Sequence, residues 1–470
     1  MIKHIILKEI KDNLSSTKFI VTFSVCSVLI LLSFIIGATN FKIAQMQYEA
    51  AKNENTRQLE GLTNWMMVND YRIFLPPQPL AALVTGVSND IGRTIEIGGT
   101  NDIQAEDSIF GDEPIFAIFR FLDLEFIFQI VLSLFAILFA YDSINGEKER
   151  GTLKLTFSYP VSRSDFILGK LFGSFFSLII PLLIPFMIGM VILPALGVNL
   201  TSDEWIRLML IILNGFVFTS VFLLLSIFVS ALTEKSSNSF LYLLGGWIFF
   251  VMIIPRISFI AAGSIINVPS LDEINSQKAR LSMQLWSEDR KAINSFSSTK
   301  TGNPEELMKE FNEFMQKMTK GRQEKIRELT ERLYEERENK QNSMIRLAFG
   351  LASLSPVTSF SLSISTLAGT SVKLQEQFYK NAKDYKREYS EFMKKKTGMD
   401  GSAFVIMRRL SDDDTKENKI NLSEIPAFQF KKASLSENIA YTILYTGILL
   451  LFCIAFFAAS FYSFRKYDVR

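Results

Sequence analysis

Residues 145–170 read NGEKERGTLKLTFSYPVSRSDFILGK, a charged segment punctuated by Gly146, Gly151 and Pro160. It is wedged between apolar runs at 117–141 and 166–194, each with the ~20 residues that an α-helix needs to cross a hydrocarbon core of ~30 Å. Charge at such a place is tolerated only where something aqueous meets it. The segment is therefore expected to be a docking surface between two spans of a polytopic membrane protein.

The rest of the chain fits that frame. Hydrophobic residues make up 48% of the 470, with 42 Phe, while the 21% that are charged are segregated into blocks, an unusual balance for a soluble domain. Six apolar runs are long enough to span: 19–38 (TM1), 117–141 (TM2), 166–194 (TM3), 205–232 (TM4), 238–266 (TM5) and 436–464 (TM6). The first follows a front segment, 1–18, that carries Glu9 and Asp12, and it exceeds the apolar core of a secretory signal, so it is read as an uncleaved anchor. Lys3, Lys8, Lys11 and Lys18 precede it; Lys148, Arg150, Lys154 and Arg163 fall in the 142–165 loop; Arg465, Lys466 and Arg470 end the chain in the 465–470 tail. Positive charge marks cytoplasmic loops, so both termini and this loop are expected inside.

Within 1–18, Ile2, Ile5, Ile6, Ile10 and Leu14 share one helical face, with the lysines elsewhere. That is the pattern of an amphipathic helix lying in the membrane interface, or of a snorkelling flank to the anchor. Two long segments remain for the outer side. Segment 39–116 begins with a polar helical pattern, passes Pro76, Pro77 and Pro79, and reaches an alternating RTIEIGG at 93–99, a small mixed α/β layer. Segment 267–435 carries apolar stripes at helical spacing: Leu307, Phe311, Phe314 and Met318, then Leu374, Phe378, Ala382, Tyr385 and Tyr389, and a shorter one around Ile274, Leu281 and Leu285. A helix from Pro304 to Arg346 would be ~60 Å long. The three stripes are expected to pair as an antiparallel helical stalk. Between them, 347–372 is apolar, rich in Ser and Thr and broken by Pro356, and is expected to lie along the outer leaflet or cap the bundle, with a pair of re-entrant segments as the alternative.

Chemistry is sparse. His4 is the one histidine, and Cys26 and Cys453 both fall in spans, which leaves no His-based metal centre, no Ser-His-Asp hydrolase and no disulfide framework. The external Met residues read as packing rather than ligands. Gly169-Lys170 is not a nucleotide-binding loop, because Ser164 and Leu171 stand where glycine and a hydroxyl are required. Gly169 and Gly173 form a small-xxx-small step, and Pro181 and Pro185 interrupt the middle of TM3. Arg120, Asp123 and Glu125 at the start of TM2, with Arg256 late in TM5, are a candidate external gate, or else interfacial snorkelling residues.

The order E-x-E-x-G-T-L (147–153), P-V-S-R (160–163) and G-K (169–170) in one loop, after the leader IILKEIKDNLSSTKF (5–19), resembles the permease subunits of type-2 ABC exporters. Within that family the chain is similar to the subgroup with a large extracytoplasmic domain between spans five and six, tied to copper-enzyme maturation and gliding motility. The stretches that carry this likeness are PLAALVTGVSNDIGRTIEI (79–97), Pro255 with Arg256, SPVTSF (355–360) and LAGT (367–370).

The resemblance implies an all-α polytopic membrane protein of six transmembrane helices in a bacterial inner (plasma) membrane. It implies a coupling role for Glu147, Glu149, Gly151, Thr152, Pro160 and Arg163. It further implies two copies of a separate ABC ATPase that carry the ATP and Mg, a second copy of the permease, no cofactor on this chain and no nucleic-acid partner. Either a solute is exported, or ATP-driven motion is passed through the stalk to an external protein at 267–435. A membrane enzyme would need a catalytic constellation that the chain lacks.

Overall fold

The computed structural model describes residues 2–62, 65, 68, 71–88, 91–97, 122–297, 304–397 and 420–466. In chain order the main helices are α1 (Ile2–Leu14), α2 (Thr17–Leu59), α3 (Ser133–Ala140), α4 (Asn145–Glu149), α5 (Thr152–Phe157), α6 (Arg163–Ala195), α7 (Ser202–Leu232), α8 (Ser236–Ile248), α9 (Ile254–Ile265), α10 (Leu271–Asn294), α11 (Pro304–Ala352), α12 (Pro356–Ala368), α13 (Lys373–Thr397) and α14 (Leu435–Lys466). Six helical runs among the described residues are long and apolar enough to cross a membrane: α2, Leu124–Glu149, α6, α7, Ser236–Ile265 and α14. The protein is an all-α polytopic membrane protein whose described strands are β1 (Tyr71–Phe74) and β2 (Thr94–Ile97), an antiparallel pair with Tyr71 opposite Ile97. Arg120 and the first residues of the expected second span lie outside the described residues.

The chain divides into two compact units, 1–252 with 355–470, and 253–354. In the first, the spans close around an aromatic core. Phe128 stacks on Phe186 at 5.7 Å and meets Phe360 edge-on at 5.7 Å, while Phe360 stacks on Phe218 at 4.6 Å. Small residues let these rings approach a facing backbone: a Cβ on Gly215 would sit 2.3 Å from the Phe128 ring. Two spans contain a widened π-helical stretch, Ile127–Leu132 and Phe249–Ile253, and just beside them the Trp247 indole N–H donates to Ser133 Oγ at 2.8 Å.

Two expectations need correction. The 347–372 segment does not lie along a surface: its first residues extend α11 to Ala352, and α12 is embedded in the span core, with Val357, Phe360, Ile364 and Leu367 buried beside α7 and α14 residues. Its hydroxyls suggested an interface, yet Thr366 Oγ1 donates back to Leu362 O at 2.6 Å and Ser355 Oγ donates to Phe250 O at 2.5 Å, so these two enter the core already partnered, whereas the buried hydroxyls of Thr358, Ser359 and Ser363 make no hydrogen bond among the described residues.

The Leu374 to Tyr389 stripe does not join a stalk either. Leu374, Phe378, Ala382, Tyr385 and Tyr389 of α13 pack on β1, β2 and Leu59 at the far end of α2, forming a second hydrophobic core. Tyr71 stacks on Tyr389 at 5.3 Å and the Tyr385 hydroxyl donates to Pro426 O at 2.8 Å; burial pushes both α13 phenols above the usual tyrosine range. Periodicity establishes that a helix has an apolar face but not which partner covers it.

In the second unit, α10 and α11 pair antiparallel, as their stripes predict. Phe259 meets Phe349 at 5.8 Å, Arg337 donates to Pro269 O at 2.7 Å, Arg322 pairs with Asp289, and Phe296 packs on Phe314 at 4.9 Å. With 49 residues, α11 is ~74 Å long.

Candidate functional site

The loop between the second and third spans is two short helices hinged at Gly151, whose φ of 72° is left-handed and strained for any residue with a Cβ. Several of its charges are tied to the protein's own helices. Lys148 Nζ donates to Ala231 O at 2.7 Å and Thr233 O at 3.2 Å at the carboxyl end of α7, where a cation offsets unpaired carbonyls. Glu149 does the converse at the amino end of α8, accepting from Ser236 N–H and Ser236 Oγ at 2.8 Å each. Ser230 Oγ accepts from the N–H groups of Ile144 (3.0 Å) and Asn145 (3.2 Å), and Asn145 Nδ2 donates to Thr233 Oγ1 at 2.9 Å.

Glu147 turns the other way. Lys170 of α6 donates to Glu147 Oε1 and to Glu9 Oε2 of α1, both at 2.8 Å, with the Lys170 side chain 6% exposed. Lys8 reaches the same Glu147 oxygen at 3.3 Å from an exposed position. Burial raises the Glu9 carboxyl above its ordinary value, against the downward pull of the Lys170 ammonium. Desolvated charges of this kind are tolerable only while the triad is intact.

Two more ties complete the network. Lys18 at the start of α2 pairs with Asp142 at 2.7 Å. Arg163 Nη1 donates to Phe464 O at 2.9 Å near the end of α14, above a packed trio of Phe157, Phe166 and Phe464. The segment 142–170 thus holds α1 and one end of α2, α6, α7, α8 and α14.

The glycine step has a definite occupant. A Cβ on Gly169 would lie 2.6 Å from Ile5 Cγ2, and one on Gly173 would lie 2.4 Å from Glu9 Cβ, so the pair forms the seat for α1 on α6. Gly173→Ala is expected to cost about 1–3 kcal/mol by overpacking. It should lower the melting midpoint of the purified chain and speed proteolysis within residues 2–14; an unchanged midpoint with a protected α1 would refute the seat.

Exposed on the loop are Glu149, Arg150, Gly151, Thr152, Lys154, Leu155, Ser158, Tyr159, Pro160 and Ser162, and the large apolar ones among them are Leu155 at 68% and Tyr159 at 64%. Two large apolar side chains presented side by side on a short helix and its exit turn suit a protein partner. Of the six loop residues named from sequence, Glu147 and Arg163 are half-buried struts, Glu149 is exposed but tied to Ser236, Gly151 is the hinge, and Thr152 and Pro160 lie on the open surface. Sequence reasoning missed Lys170 and Glu9 as partners, whose signal was a lone cation inside an apolar run and an acid beside the apolar face of a lysine-rich helix.

At the other end of the spans, Asp123 caps the second span, accepting from Phe126 N–H at 2.9 Å and Thr85 N–H at 3.2 Å. Glu125 accepts from Gln129 Nε2 at 2.8 Å and from Ser361 Oγ. Arg256 is exposed and belongs to the second unit.

A polytopic helical protein whose leader helix is tied to such a loop has the build of an ABC permease, and the comparison with known families agrees. The sequence matches the ABC-2 family of transporter proteins over residues 4–469, and the chain belongs to that family. It is also 34% identical over 128 residues, 26% of this chain, to a protein of Pseudomonas aeruginosa described as "Probable ABC transporter permease protein NosY". The chain covers 45% of that relative's length.

Proposed function

We propose that this chain is the transmembrane permease subunit of an ATP-driven exporter, worked by a separate ATPase that docks on 152–160 from the cytoplasmic side. The observation that supports this reading most directly is the two-faced loop: Leu155 and Tyr159 point outward, while Glu147, Lys148, Glu149 and Arg163 tie the same segment to the spans. Force applied at the outer face would reach several helices at once. A second permease copy and two ATPase subunits, which would bring the ATP and Mg, complete the assembly in this proposal, with the first, third and sixth spans and α1 moving together.

Leu155→Asp with Tyr159→Asp is expected to abolish co-purification of the partner ATPase while shifting stability by less than ~0.5 kcal/mol, as exposed substitutions do. Arg163→Glu should leave docking intact but reduce the coupling of ATP hydrolysis to transport in the reconstituted complex. Undiminished co-purification, or a cysteine at position 149 that labels from outside the cell, would overturn the reading. The helical hairpin of the second unit, with its ~74 Å α11, favours a second outcome, in which the motion acts on an external protein and no solute moves. Crosslinks from α11 to such a protein, together with ATPase activity that no solute stimulates, would separate it from export.

A further inference from the structure

At the end of the spans remote from the coupling loop, the start of α7, the exit of α12, the start of α13 and the lead into α14 surround a cavity of about 200 Å³. Arg207 lies in its wall with a side chain 9% exposed. Its Nε donates to Asp203 Oδ2 at 3.0 Å, Nη1 to Leu367 O at 3.3 Å and Nη2 to Ala433 O at 3.0 Å. Those bonds use three of the five guanidinium N–H groups.

Two lysines line the same cavity. Lys432 reaches Glu204 Oε1 at 3.1 Å while remaining half exposed, and Lys373 lies over the Tyr441 ring. Both carboxylates are already engaged, Asp203 by Arg207 and Glu204 by Lys432 and by the Thr201 N–H and hydroxyl. Three cations against two occupied acids leave one net positive charge in the lining of a small space. An anion with several oxygens, acceptor at every face, answers that set.

Size narrows the class. The cavity is several times the ~30 Å³ share of one liquid water but below the ~300–1,000 Å³ of pockets that enclose a whole drug-sized ligand. It therefore suits a charged group rather than a complete cargo. Leu80, Leu374 and Phe430 supply an apolar side, and the two spanning helices α7 and α14 both begin here, which sets the cavity level with the membrane boundary.

We propose that this cavity binds a phosphate group, carried either by an anionic phospholipid or by a soluble phosphate. Occupancy would bridge α13, and with it the second hydrophobic core, to the ends of α7 and α14. This inference does not depend on the coupling loop or on the identity of the ATPase.

Thermal shift of the full-length protein in detergent tests it with three probes: inorganic phosphate, dihexanoyl-phosphatidylglycerol and dihexanoyl-glycerol. Stabilisation by the phosphoglycerol lipid alone identifies a lipid headgroup, and stabilisation by inorganic phosphate as well identifies the free anion; both support the site. No stabilisation by either phosphate-bearing probe, or equal stabilisation by dihexanoyl-glycerol, overturns it. In Lys373→Gln with Lys432→Gln, neither of which is a buried residue, the apparent affinity should fall at least about tenfold. Arg207→Gln should lose binding altogether, and if that variant does not fold the double variant decides. Undiminished affinity in the double variant refutes the proposal.

Discussion

Lys170→Ala is expected to be among the most damaging single substitutions in the chain. It removes the shared partner of Glu9 and Glu147, whose side chains are 9% and 12% exposed, and breaking a buried ion pair from one side costs about 3–5 kcal/mol because the remaining charges stay desolvated. Lys8 cannot take over, since its ammonium is exposed, already 3.3 Å from Glu147, and worth little at such a screened position. The melting midpoint should fall steeply and α1 should become protease-sensitive. Glu9→Gln, Lys170→Met and Glu147→Gln together should recover much of the stability, as a neutral packed triad does, while leaving ATP hydrolysis poorly coupled. A variant carrying Lys170→Ala alone that melts like the parent would show that the triad does not hold α1.

Phe360→Ala is expected to cost about 3–5 kcal/mol through the cavity that it opens. The ring is fully buried between Phe218, at 4.6 Å, and Phe128, at 5.7 Å. Phe249→Ala is the matched control, because Phe249 is 50% exposed on its span and its loss should change stability by less than ~0.5 kcal/mol. Equal melting midpoints for the two variants would mean that α12 is peripheral to the span core.

The six spans were legible because each needs about 20 apolar residues in a row, a signal that survives without knowledge of any partner. The leader helix was legible for a similar reason, since Ile2, Ile5, Ile6 and Ile10 fall on one face. What covers a face was not legible. Gly169 and Gly173 announced a close approach but not that α1 makes it, and the Leu374 to Tyr389 stripe announced a buried face that turned out to meet a β-hairpin. Loop charges carried a second meaning that the sequence did not show. Glu147, Lys148 and Glu149 read as a dense charged face, and each also answers a need created elsewhere in the fold: a buried lysine, the carbonyls at the end of α7 and the free N–H at the start of α8. Such needs arise from helix ends that only the tertiary arrangement brings near. The exposed Leu155 and Tyr159 were unread because two apolar residues in a loop carry no period.

Helix α2 runs unbroken from Thr17 to Leu59, 43 residues, or ~65 Å, of which a bilayer core accounts for only ~30 Å. Its base is held by Lys18, and its tip is built into the β-hairpin, where Asn55 exchanges hydrogen bonds with the backbone of Arg72 at 3.1 and 3.3 Å. Such a rod is a lever arm with no joint along it. Pivoting it by about 5° at the base would swing the tip through ~6 Å over that ~65 Å length, so a rotation too small to disturb side-chain packing near the fulcrum becomes a displacement as large as a helix turn at the far side.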